Sequence, residues 1–142
     1  MIKVTFYLSA FLLFGSIACS DDDSMDQHEL QALTLDGDME ADANKLDSLK
    51  SAIENLAQSV SCVNDLGWSF TPMGSKACGG PQYYLAYHNS IDVEDFLSDV
   101  EIYKLTEEAF NVKWEVISTC DAIAEPTGVE CNNGEAKLIY SF

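Results

Sequence analysis

Ile91-Asp92-Val93-Glu94-Asp95-Phe96-Leu97 fixes one long helix in the middle of the chain, and the elements on either side are read from it. Asp92 can cap the helix, Asp95 stands at the third helical position, and Ile91 and Phe96 are placed to form a hydrophobic staple. Val93, Phe96, Leu97, Val100, Tyr103, Phe110 and Trp114 then mark one apolar face to about residue 116. Asp95, Asp99, Glu101 and Glu108 lie mostly off that face, and Lys104 can pair with Glu108 four residues on. Upstream, Leu46, Leu49, Ile53, Leu56 and Val60 recur at threes and fours, which predicts a first helix over about 43–60. Between the helices, Trp68–Met73 alternates large and small residues and reads as a strand, with Pro72 excluding an interior position. Tyr83–His88 is rich in strand formers. Downstream, Ser118–Ala124 reads as a strand and Pro126-Thr127-Gly128 as a turn. Val129–Asn132 and Glu135–Phe142 flank Asn133-Gly134, the strongest hairpin signal in the chain. Helix, two strands, helix, three strands is an α+β order, so two helices are expected on an antiparallel sheet of about four to five strands.

The amino-terminal residues carry an address. Lys3 precedes an apolar run from Val4 to Ile17, fourteen residues long, too short for a span of about 20 residues and suited to a secretory signal. The run ends in Ser16-Ile17-Ala18-Cys19, which resembles the lipobox of bacterial lipoproteins. That resemblance implies a signal over 1–18, cleavage before Cys19 and lipidation of Cys19. It also implies a membrane partner through the lipid anchor, with an outer-membrane location because Ser20 is not Asp. Asp21-Asp22-Asp23 resembles a surface-export signal, so display at the cell surface is expected.

Residues 20–42 hold nine acids and no Lys, and such a block cannot bury enough surface to offset ordering entropy. Residues 19–42 are therefore read as the lipidated cysteine and an acidic, disordered tether, leaving 43–142 as one domain. Asp36-Gly37-Asp38-Met39-Glu40-Ala41-Asp42 invites a calcium-loop reading, but the required Gly falls on Ala41 and the bidentate Glu on Asp47. Of the 142 residues, 24 are Asp or Glu and 7 are Lys, with no Arg, for a net charge of −17. Residues 43–142 hold 15 acids against 6 Lys, net −9. That charge disfavours nucleic acid and anionic surfaces and permits basic partners.

Setting Cys19 aside, Cys62, Cys78, Cys120 and Cys131 form an even set in an exported domain, where two disulfides are expected. Cys78–Cys120 and Cys62–Cys131 are preferred among the three pairings, because each joins a helix-end segment to a strand or loop across the fold. Metal ligation wants closer Cys or His pairs than these gaps offer. A cysteine nucleophile needs a base, and the only histidines are His28, in the tether, and His88, at a strand end.

Gly74-Ser75-Lys76-Ala77-Cys78-Gly79-Gly80-Pro81 is the remaining feature with chemical content. A turn built on glycine freedom and a fixed proline φ is one reading. A ligand or partner loop is another, with N–H groups at Gly79 and Gly80, Lys76 as counter-charge and Tyr84 on the strand beyond. Protease bait at Lys76-Ala77 is a third. A nucleotide loop is excluded, because the Lys precedes the glycines and a strand follows. Together with Ser118-Thr119-Cys120, Pro126 and Cys131-Asn132-Asn133-Gly134, this loop resembles a group of small exported bacterial lipoproteins. The resemblance spans about 60–140. Many members carry two further cysteines, at positions that here are Trp68 and Ala136, and their joint absence fits loss of one bridge. No activity is established for the group, so the resemblance implies fold and compartment only.

On the second strand Tyr83, Leu85 and Tyr87 share one face and Tyr84, Ala86 and His88 the other. One face must be core; the other either is covered or stacks on a sugar or peptide. Carboxylates are abundant, but no catalytic set, metal cluster or cofactor loop stands out. The expectation is a non-catalytic, monomeric binding or interaction module without a cofactor, whose partner is a protein or glycan. The alternative is an inhibitor of a secreted hydrolase, a protease or a lysozyme, acting through Lys76-Ala77 or the acidic surface.

Overall fold

The computed structural model describes residues 31–141; the signal, Cys19 and residues 20–30 lie outside the described residues. Two helices and two hairpins follow in the order α1 (Met39–Ala57), β1 (Trp68–Met73), β2 (Tyr83–His88), α2 (Val93–Lys113), β3 (Gly128–Asn132) and β4 (Glu135–Ile139). The architecture is α+β. Its four strands form two separate two-stranded antiparallel sheets, β1–β2 and β3–β4, in place of the single sheet of four to five strands expected.

Helix α1 starts at Met39, four residues before the expected boundary, because Asp38 caps it by accepting from the Ala41 N–H at 2.9 Å. The boundary drawn between 42 and 43 therefore falls inside a helix. Residues 31–38 are held in place as well: the Leu33 N–H donates to Thr106 Oγ1 at 2.9 Å, and Lys113 Nζ donates to the carbonyls of Leu35 and Gly37 at 3.1 and 3.0 Å. The acids that invited a calcium reading have other work. Asp36 pairs with Lys45, Asp38 is the cap, and Asp42 is fully buried. Asp42 accepts from Gly37 N–H, Lys113 Nζ and Trp114 Nε1, which ties the start of α1 to the end of α2.

Helix α2 begins as its sequence dictates. Asp92 accepts from the Asp95 N–H at 3.2 Å, Phe96 is fully buried and Ile91 packs against the core. Phe96, Val100 and Tyr103 meet Leu46, Ile53 and Ala57 of α1, with Met73 and Tyr87 from the β1–β2 hairpin beneath. The register pairs Met73 with Tyr83, Thr71 with Leu85 and Ser69 with Tyr87. Those pairs form the face toward the helices. Tyr83 OH donates to Glu54 Oε1 at 2.6 Å, and burial together with that carboxylate pushes its phenol well above the ordinary tyrosine range.

The second hairpin turns at Asn133 (φ 53°) and Gly134 (φ 86°), the paired positive φ values that a two-residue Asn-Gly loop requires. Cys62 and Cys131 stand at disulfide distance, with Cα atoms 5.2 Å apart, and fasten the chain beyond α1 to β3. Beside them the Cys62 N–H donates to the Gly134 carbonyl at 3.0 Å.

The expected strand over Ser118–Ala124 is absent; the chain from 116 to 126 is irregular and mostly exposed. Its carbonyls are engaged by side chains and not by a ladder. The Asp121 carbonyl accepts from Lys76 Nζ at 2.6 Å, and the Thr119 carbonyl accepts from the Cys78 thiol at 3.6 Å.

Candidate functional site

A cleft of roughly 590 Å³ lies between the two hairpins and the carboxyl end of α1. Gln58 and Val60 line it from the end of α1, Trp68 and Tyr84 supply rings, and β4 lines it over Glu135–Leu138. Side chains alternate across a strand, so one face cannot contribute consecutive residues. Tyr84, Leu85 and Ala86 of β2 and four consecutive residues of β4 nevertheless line the same space. The cleft is therefore flanked by backbone edges. Each of these strands pairs with only one neighbour among the described residues, β2 with β1 and β4 with β3.

The rings are held by their neighbours. Trp68 packs edge-on against its cross-strand partner His88, with centroids 5.1 Å apart, and Phe70 packs edge-on against Tyr84 at 6.0 Å. His88 is fixed in turn by Ser90, whose Oγ lies 2.7 Å from Nδ1. The polar groups at the rim are Gln58, Glu135 and Lys137, the last two paired with each other. This set can stack on a planar or apolar group and hydrogen-bond a chain running along the strand edges.

The residues singled out in the glycine loop do not converge on this cleft. Tyr84 lines it, whereas Gly79 and Gly80 line a second, smaller cleft of roughly 420 Å³ against α2, with Ser75, Leu97 and Lys104. Lys76 lines neither. Its side chain is buried and its ammonium is held by the Asp121 carbonyl, so it is not a free counter-charge for a ligand. Gly79 and Gly80 adopt φ values of 92° and 82°, closing a tight turn in which Lys76 N–H donates to the Gly80 carbonyl and Gly79 N–H to the Lys76 carbonyl.

Cys78 and Cys120, where the second bridge is expected, are exposed and unbridged in this structure. The Cys78 sulfur is engaged by Ser118 Oγ at 3.4 Å and by the Thr119 carbonyl at 3.6 Å, next in sequence to Cys120. Among the described residues no three His, Cys, Asp or Glu side chains cluster to hold a metal ion.

Trp68 is a cleft ring that the sequence does not mark as a binding residue. Its signal was the Trp68–Met73 alternation, which placed a large ring on the same face as Phe70 without showing what would stand opposite. Comparison with protein-family models, curated proteins and solved structures finds no match to this chain.

Proposed function

We propose that this chain is a non-catalytic cell-envelope lipoprotein, held to the outer membrane through Cys19, that uses the cleft between its hairpins to bind an extended segment of a partner protein. The observation that carries the reading is the pair of strand edges, β2 and β4, lining one cleft beside the rings of Trp68 and Tyr84. An extended peptide satisfies its own backbone groups on such edges, while the aromatic rings select side chains. A glycan would use the rings but leave the edge N–H and C=O groups to water. The two positions at which the resembled lipoprotein group carries extra cysteines, Trp68 and Ala136, both line the cleft; under that resemblance, loss of a bridge here leaves a cleft in its place.

The inhibitor alternative finds no support in Lys76. A trypsin-type pocket takes up an extended basic side chain, and that of Lys76 is buried. What remains for that reading is the acidic surface.

The test is capture of exported proteins by the full, lipidated chain, followed by peptide mapping of the bound segment. Trp68→Ala and Tyr84→Ala are expected to abolish capture while Lys76→Ala preserves it. Capture indifferent to both aromatic substitutions would remove the cleft from the function. Fatty-acid labelling in a Gram-negative host tests the anchor separately; a Cys19→Ala variant that still took up label would sink it.

A further inference from the structure

The turn at Gly79-Gly80 and the irregular segment after α2 bring two exposed thiols together. Cys78 stands on the turn with its sulfur 3.4 Å from Ser118 Oγ and 3.6 Å from the Thr119 carbonyl, the two residues that lead directly into Cys120. The approach to this pair is open. A Cβ placed on Gly79 or Gly80 would meet nothing within 4 Å, and residues 119–125 are all exposed. Cys62, by contrast, is 4% exposed and sits at disulfide distance from Cys131. Among the described residues, one cysteine pair is thus buried at Cys62 and half-buried at Cys131, and the other two cysteines face solvent.

We propose that Cys78 and Cys120 form a reactive dithiol–disulfide couple that exchanges with disulfides in its surroundings, Cys78 attacking and Cys120 resolving. This inference does not depend on the cleft between the hairpins. The two sulfurs have unequal environments. The hydrogen bonds from Cys120 and Ser118, with Lys76 nearby, hold the Cys78 thiol below its ordinary pKa. Hydrogen bonding to Cys78, then desolvation, raises Cys120. The more acidic thiol supplies the thiolate that attacks first.

The exchange balances without a cofactor. The Cys78 thiolate attacks one sulfur of an external disulfide RSSR, forming a mixed disulfide and expelling RS⁻. Cys120, losing its proton, attacks Cys78 Sγ and expels the second RS⁻. Two protein thiols are oxidised to a disulfide, RSSR is reduced to two RSH, and the two cysteine protons end on the released thiolates. Closure would tie residues 118–121 covalently to the glycine loop that walls the smaller cleft, adding to the Lys76 hydrogen bond to Asp121 and the Cys78 contacts with Ser118 and Thr119.

The full chain, reduced under conditions that leave Cys62–Cys131 intact, is mixed with oxidised glutathione and mapped by mass spectrometry. The expected product is the Cys78–Cys120 bridge. In Cys120→Ser the glutathione adduct should accumulate on Cys78, and in Cys78→Ser adduct formation at Cys120 should be at least about tenfold slower. Graded dithiothreitol should reopen Cys78–Cys120 before Cys62–Cys131. Peptide mapping of Cys62–Cys131 in each variant verifies its fold. The proposal is overturned if both bridges reduce together, if Cys120 reacts as fast as Cys78, or if glutathione leaves both thiols unmodified.

Discussion

Lys113 Nζ lies 2.6 Å from Asp42 Oδ2, joining the last turn of α2 to the first turn of α1. The carboxylate is buried, and the lysine hydrogen bond, with those from Gly37 N–H and Trp114, holds its pKa below the ordinary carboxylate value. A folded pKa below the unfolded one means that the unfolded chain binds the proton more tightly. The contribution is complete above the unfolded value and is lost as pH falls through the folded one. Thermal unfolding followed from pH 7 down to 2 should therefore show an acid limb that is shallower in Asp42→Asn. Asp42→Ala should lower the midpoint at pH 7, because it leaves the Lys113 ammonium and the Trp114 N–H without their acceptor. Exposed Asp38→Asn, which keeps a capping side chain, should change it little.

Phe96 has no exposed surface, and its ring lies 4.9 Å from that of Tyr87 at the centre of the core. Phe96→Ala should cost about 3–5 kcal/mol, a large share of the roughly 5–15 kcal/mol that domains of this kind possess. Leu66, 80% exposed, provides the control: Leu66→Ala should stay within about 0.5 kcal/mol by denaturant titration.

Elements set by local chemistry were legible in the sequence. The Asp92 cap with its Ile91–Phe96 staple and the Asn133-Gly134 turn involve residues within five positions of one another, so the pattern contains the whole interaction. The strand expected at Ser118–Ala124 failed because a strand needs a neighbour, and Lys76 and Cys78 take its carbonyls from more than 40 residues away. Asp42 looked like one acid in a solvated block; its partners Lys113 and Trp114 are 71 and 72 residues distant. Lys76 is a similar case, since its acceptor, the Asp121 carbonyl, is 45 residues away. The cleft was half legible: Tyr84 was named from its strand face, while the opposing edge belongs to a hairpin whose placement no local pattern specifies.

Helix α2 ends on an unfavourable residue. The Val116 N–H donates to the Asn111 carbonyl at 3.0 Å, the closing bond of a Schellman motif, which places Glu115 at the left-handed position with φ 49°. A non-glycine residue there meets its own Cβ against the backbone. Glu115→Gly should raise stability by about 1 kcal/mol in urea titration. A substitution to Val at the same position should lower it, since a branched Cβ worsens the clash. Equal stabilities for the three proteins would show that the helix end is not held in this conformation in solution.

Cys62 and Cys131 stand 69 positions apart in sequence and enclose β1, β2 and all of α2. A cross-link over that length restricts the unfolded chain far more than the folded one. Its removal, as Cys62→Ser with Cys131→Ser, should cost about 2–4 kcal/mol. Cys62 is also buried beside the Gly134 bridge, so part of the loss should appear as loosening of the β3–β4 hairpin. Hydrogen exchange resolves the two contributions. Loss of chain restriction lowers protection throughout the core, including Phe96 and Val100, whereas local loosening lowers it at Cys131 and Lys137 alone. The corresponding double serine variant at Cys78 and Cys120, compared with the reduced parent, should leave protection of α2 unchanged, because both thiols are exposed and neither packs in the core.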